Sequence, residues 1–165
     1  MFEESMVFLD VETTGAAASF DRITEIGFVE VANGLVVEEW STLVNPGMRI
    51  PRAIETLTGI TDAMVADAPS FEALSAELHR RLEGKLLIAH NARFDYGFLR
   101  SEFARVGVHY QSRVLCTVKL SRRLYPQERR HNLDSLMERH GIECSDRHRA
   151  LADARVLREF TSRVR

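Results

Sequence analysis

Cysteine is scarce: Cys116 and Cys144 are the only two in a chain of 165 residues. Neither sits at metal-ligand spacing, which excludes a disulfide framework and a cysteine-based zinc site. Long apolar runs are also missing. None approaches the roughly 20 residues needed to span a bilayer. The start, Met1-Phe2-Glu3-Glu4-Ser5, is acidic where a secretory signal is basic. A reduced, cytoplasmic protein with no membrane partner is therefore expected. No glycine-rich phosphate loop occurs, since Gly15 and Gly59 stand alone. Internal repeats, low-complexity tracts and linkers are absent too, so one domain over residues 1–165 is expected.

What is present is an ordinary globular composition, 45% hydrophobic and 28% charged. The net charge of -2 conceals an asymmetry. Residues 1–83 carry 5 Lys/Arg against 15 Asp/Glu, and residues 84–165 carry 17 against 9. A basic half can attract a polyanion, although most such arginines form solvated helix faces.

Met6–Val11 is a short apolar run ending in acids and reads as a central strand. The β-branched runs 23–31 and 35–44 flank Ala32-Asn33-Gly34, a strong hairpin signal. Helices are expected from Pro51 to Leu57, over Phe71–Leu82 with Ser70 as N-cap, from Asn91 to Val106, and over 117–124, 132–140 and 151–164. Strands are expected at 86–89 and 113–116. Strands that come first as a hairpin and then alternate with helices imply an α/β fold with one mixed sheet and helices on both faces. Trp40 reads as core, and 126–131 as an exposed loop.

Three segments carry acids. Asp10 and Glu12 lie at i and i+2 of a strand, so both carboxylates face the same way. Asp95 lies in the first turn of a helix that follows a buried strand, at the carboxyl end of the sheet, where ligands of α/β folds gather. Asp153 lies near the start of the last helix, with His148 just before it. Each alone has an ordinary explanation: a solvated strand end, a helix-dipole partner, a surface histidine. Together they are costly to bury unless a cation lies between them. Hard oxygen ligands suit Mg²⁺ or Mn²⁺ acting on a phosphate ester, and a neutral imidazole beside them can accept a proton from water.

The motifs Asp10-Val11-Glu12-Thr13-Thr14-Gly15, His90-Asn91-Ala92-Arg93-Phe94-Asp95 and His148-Arg149-Ala150-Leu151-Ala152-Asp153 resemble those of the DEDDh 3′–5′ exonucleases. This is the DnaQ-like family, which includes the proofreading epsilon subunit and exonuclease domains of bacterial replicative polymerases. The resemblance spans about Met6 to Phe160. It implies a ribonuclease H-like fold with a central mixed five-stranded sheet. It also implies two divalent metal ions, Mg²⁺ or Mn²⁺, held by Asp10, Glu12, Asp95 and Asp153, with His148 as general base. Asp10 would touch both metals, and Asp95 would act largely through water. The implied reaction is hydrolysis of the terminal phosphodiester of single-stranded DNA, releasing nucleoside 5′-monophosphates.

Further contacts are expected from Thr13, Thr14 and the Gly15 backbone with the terminal nucleotide. Ile54, Leu57 and Thr58 are expected to form a wedge against its base. Phe94 is a candidate for base stacking or for core packing. Asn91 is a candidate for strand contact or for a helix cap. Arg122, Arg123, Arg129, Arg130 and His131 are candidates for a phosphate path. Two other readings compete: an RNA exonuclease of the RNase T or oligoribonuclease type, and a catalytically idle nucleic-acid-binding module. The intact acid set favours an enzyme. The clamp motif and polymerase-binding tail of the epsilon subunit do not appear. Partners thus range from a nucleic acid alone to a DNA polymerase or a fused domain beyond the C-terminus.

Overall fold

The computed structural model describes residues 5–164; the acidic start Met1–Glu4 and Arg165 lie outside them. Five strands form one sheet: β1 (Met6–Thr13), β2 (Ile23–Ala32), β3 (Leu35–Leu43), β4 (Leu86–Ala89) and β5 (Val114–Cys116). Their order is β3-β2-β1-β4-β5. The pairs β1–β2 and β2–β3 are antiparallel, whereas β1–β4 and β4–β5 are parallel. The expected mixed five-stranded sheet is thus present. The turn between β2 and β3 holds Asn33 and Gly34 at φ 55° and 75°, positive values that a tight hairpin turn of the favoured kind demands.

Seven helices cover the sheet: α1 (Arg52–Thr58), α2 (Asp62–Val65), α3 (Phe71–Leu82), α4 (Ala92–Arg105), α5 (Thr117–Leu124), α6 (Leu133–His140) and α7 (Ala150–Arg163). Ser70 caps α3 by accepting the Ala73 N–H, and Asn132 caps α6 by accepting that of Ser135. The short α2 was not expected, because four residues are too few to show a period.

The two sheet faces bury separate cores. Val7, Leu9, Val11, Ile26 and Phe28 pack with Phe71, Leu78, Phe98 and Phe103 of α3 and α4. Phe8, Val29, Val31 and Ile88 pack with Leu136 of α6 and Val156, Leu157 and Phe160 of α7. Strand β1 is central and buried on both faces, which explains its nearly continuous apolar run. Trp40 is only partly buried, stacked on Phe28 at a centroid distance of 5.3 Å. It lies on the outer strand, where one side of the ring lacks a neighbouring strand. No described helix is long and apolar enough to cross a membrane.

Candidate active site

Because Val7, Leu9 and Val11 of β1 face α3 and α4, alternation turns Phe8, Asp10 and Glu12 towards α7. The first turns of α7 supply Asp153. One carboxylate oxygen from each of Asp10, Glu12 and Asp153 lies within 4.8 Å of the others. Residues remote in sequence thus form one acidic cluster at the C-terminal end of the central strand.

The approach of α7 depends on Gly27, which pairs with Asp10 across the β1–β2 ladder. A Cβ at Gly27 would lie 2.4 Å from Leu151 N and 2.6 Å from the Ala150 carbonyl carbon. Only glycine lets the start of α7 rest directly on the sheet. Beside it, buried Glu25 accepts the Ala150 N–H at 2.8 Å. It also accepts Nε and Nη2 of Arg149 at 3.0 and 2.6 Å. Arg149 occupies the N-cap position and offers no side-chain cap, so Glu25 satisfies an orphan N–H of α7 from a neighbouring strand.

Asp95, in the first turn of α4, comes from the other side of β1. It is 3% exposed, and its Oδ2 accepts the Val11 N–H at 3.0 Å. That hydrogen bond lies between Asp10 and Glu12 in sequence. Asp95 is outside the three-oxygen cluster but is the strongest charged neighbour of Asp10.

Burial and crowding make these acids hard to ionise. Burial, then the charges of Asp95, Glu12 and Asp153, hold Asp10 well above the ordinary carboxylate range. Glu12 is pushed up to about 8, chiefly by burial. Asp95 is likewise pushed up to about 8 by burial, against the hydrogen bond from Val11. Burial also raises Asp153, opposed by Arg147, whose Nη1 donates to Oδ2 at 2.6 Å. Asp10 Oδ2 is buried with no hydrogen-bond partner among the described residues. No lysine or arginine among them salt-bridges Asp10 or Glu12. A set of hard oxygens, one of them orphaned, with their charge unanswered by the protein, fits a divalent cation.

His148 precedes α7 in the left-handed region, at φ 68°, which is uncommon for a residue with a Cβ. Its N–H donates to Asp153 Oδ1 at 3.3 Å. His90, the other motif histidine, is a weaker base. Burial holds it down at about 4, and its Nδ1 lies 2.8 Å from Thr117 Oγ1.

Several expected contacts lie differently. Thr13 Oγ1 donates to Gly15 O at 2.6 Å, and buried Thr14 donates to Asp21 Oδ1 at 2.9 Å while accepting the Arg22 N–H. Both hydroxyls are turned into the loop, and Gly15 has no room for a Cβ because the Asp21 carboxylate fills it. This leaves backbone groups to face a ligand. Thr58 is buried and spent on Ile54 O and Ile60 N, so the expected wedge reduces to half-buried Ile54 and Leu57, which is 53% exposed. Asn91 does not cap α4. It adopts αL and makes no side-chain cap bond, a conformation that asparagine tolerates better than most residues. Its side chain is left exposed. Phe94 packs on Phe98 at 4.8 Å while keeping part of its surface open. His131 is buried against Ser121 and leaves the phosphate path, whereas Arg122, Arg123, Arg129 and Arg130 are exposed. Glu25, Gly27 and Arg147 had no role assigned from sequence. An acid and a glycine inside an otherwise apolar strand were the available signal.

Residues 7–160 match the exonuclease family model of RNase T type. The chain is 38% identical over 158 residues to a DNA polymerase III PolC-type protein of Caldanaerobacter subterraneus, covering 96% of this chain and 11% of that protein. It is 41% identical over 163 residues to a bifunctional exonuclease/endonuclease protein of Mycobacterium tuberculosis, covering 93% of this chain and 25% of that protein. The chain therefore spans a tenth to a quarter of these relatives. The zinc-bound E. coli ExoI–ssDNA complex superposes with a TM-score of 0.89 at 21% identity, over 99% of this chain and 40% of that one, which is a likeness of fold. By motif, by fold and by sequence, the chain belongs to the exonuclease family, of the DEDDh kind.

Proposed function

We propose that this chain is a 3′–5′ exonuclease that removes nucleoside 5′-monophosphates from single-stranded or frayed DNA, in proofreading or repair. The observation that carries the reading is the cluster of Asp10, Glu12 and Asp153, with its orphaned oxygen and no cationic partner for Asp10 or Glu12. PolC-type polymerases among the relatives favour DNA over RNA, and the intact acid set argues against an idle binding module. The domain acts alone or joined to a polymerase or another catalytic unit, as in those longer relatives. Two free thiols fit a cytoplasmic setting.

Asp10, Glu12, Asp95 and Asp153 would hold two divalent ions, Mg²⁺ or Mn²⁺. Bound there, these supply positive charge that neutralises the phosphoryl oxygens and acidifies water. Leu57 and Ile54 press on the terminal base, Phe94 offers a stacking face and Asn91 reaches the strand backbone. Backbone groups of Thr13, Thr14 and Gly15 border the sugar. His148 takes a proton from the attacking water. The water oxygen joins the terminal phosphorus, and the bond to the preceding nucleotide's 3′ oxygen breaks. That oxygen gains a proton from solvent, leaving a 3′-hydroxyl on the shortened strand.

The test is digestion of 5′-labelled DNA and RNA strands of equal sequence, in Mg²⁺, Mn²⁺ or EDTA. A ladder shortening from the 3′ end with mononucleotide product, faster on DNA and absent in EDTA, is expected. Internal fragments, shortening from the 5′ end, or cleavage in EDTA would refute it. Faster digestion of RNA would favour the oligoribonuclease reading.

A further inference from the structure

His148 is flanked by two arginines, and each is held by a carboxylate from a different element. Arg149 is gripped by Glu25 of β2 through Nε and Nη2, at 3.0 and 2.6 Å. Arg147 reaches Asp134 of α6 through Nε at 2.6 Å and Asp153 of α7 through Nη1 at 2.6 Å. Glu25 also holds the Ala150 N–H, two residues after His148. The histidine itself sits at φ 68° with only a 3.3 Å backbone bond to Asp153. A non-glycine residue in that region persists where its surroundings fix it. Here the surroundings are the two guanidinium anchors, one on each side.

Resting on the nuclease reading above, we propose that Glu25 and Asp134 are positioning residues for the hydrolytic step. Through Arg149 and Arg147 they fix the backbone around His148, so that its imidazole stays beside the acidic cluster. Planar guanidinium forks suit this task, because two hydrogen bonds to one carboxylate set orientation as well as distance. Glu25 takes no ligand role. Its carboxylate oxygens are already used by Arg149 and Ala150. Asp134 stands on the surface with a side chain 69% exposed, away from any cluster.

The experiment is a double-mutant cycle. Glu25→Gln keeps an acceptor for the Ala150 N–H and sets an amide against Arg149. It should lower kcat on single-stranded DNA by about 10–100-fold, the usual effect of removing a supporting partner. KM and the Mg²⁺ concentration for half-maximal rate should stay within about two-fold, as expected of a group that binds neither. In a His148→Ala background, Glu25→Gln should cause little further loss, because nothing remains to be positioned. Asp134→Asn, a surface change that leaves folding intact, should act in the same direction, more weakly, and should also be silent in the His148→Ala background. Equal fold-losses with and without His148 would overturn the proposal, since loss of folded protein or of metal affinity scales both backgrounds alike. Wild-type kcat in both single variants would overturn it too. If Glu25→Gln fails to fold, Asp134→Asn decides alone. A wild-type protein that digests no DNA sinks the nuclease reading instead, a distinct result.

Discussion

Asp10→Asn should stabilise the metal-free protein while abolishing its activity. Three carboxylate oxygens within 4.8 Å of one another repel when ionised. At an effective dielectric constant near 20, two full charges at that distance repel by about 3.5 kcal/mol. The acids evade part of this by staying protonated: burial raises Asp10, and Glu12 is pushed up to about 8. The gain from removing one charge is therefore smaller, about 1–3 kcal/mol at pH 8. For a chain of this length that raises Tm by about 2–4 °C per kcal/mol. Asparagine suits the site sterically, and its amide can donate to Glu12.

The pH dependence follows from linkage. An acid whose folded pKa is raised keeps its proton in the folded state while the unfolded chain, titrating near 4, gives its proton up. Its contribution is fully present below about pH 4 and is lost as pH rises through the folded value, about 8 for Glu12 and Asp95. Metal-free wild type should thus lose stability from pH 5 to pH 8, and Asp10→Asn should lose less. Urea unfolding in EDTA at both pH values, repeated with Mg²⁺, reads all of this. Mg²⁺ should stabilise wild type most at pH 8, and Asp10→Asn far less. A variant less stable than wild type in EDTA at pH 8, or one with an undiminished response to Mg²⁺, would refute the reasoning.

His148→Ala should lower kcat by about 10²–10⁴-fold, the usual worth of a general base; single-turnover digestion checks this, and a loss under five-fold would exclude the role. Gly27→Ala should cost about 1–3 kcal/mol by overpacking and lift Asp153 from the cluster, because the added Cβ meets backbone atoms of Leu151 and Ala150. Urea unfolding and Mg²⁺ titration should move together, and a stable variant with normal Mg²⁺ affinity would contradict the packing account.

Legibility tracked how local each cause was. The Asn33–Gly34 turn, the Ser70 and Asn132 caps and the shared face of Asp10 and Glu12 follow from a few adjacent residues. Each was read from sequence because turn chemistry, capping and strand period are short-range. The Asn91 cap failed because asparagine suits both a cap and αL, and the chain's path into α4 selects αL. Thr14 and Thr58 were read as ligand contacts because a threonine beside a motif shows no sign of its partners. Those partners, Asp21 and the Ile54 carbonyl, emerge only in the folded loop and helix. Glu25 and Gly27 were invisible for the opposite reason. Their meaning lies in α7, more than 120 residues along the chain.

The buried acids divide by whether the protein answers their charge. Glu102, 1% exposed, is met by Arg22 and Arg105 and by the Ile23 N–H at 2.9 Å. Glu25 is met by Arg149 and Ala150. Both are paid-up structural ions, hydrogen-bonded in full. Asp10 and Glu12 lie in the same sheet as Glu25, and Glu12 sits directly across the ladder from it. Yet no arginine reaches them, although Arg147 and Arg149 lie one helix start away. Had the cluster served only to tie α7 to β1, one guanidinium could have satisfied it, as happens at Glu25. The two nearest arginines are instead committed to Asp134, Asp153 and Glu25. That leaves a cavity of unanswered negative charge, which a mobile divalent cation can fill. Local instability of this kind is the expected mark of a site kept for function rather than for folding.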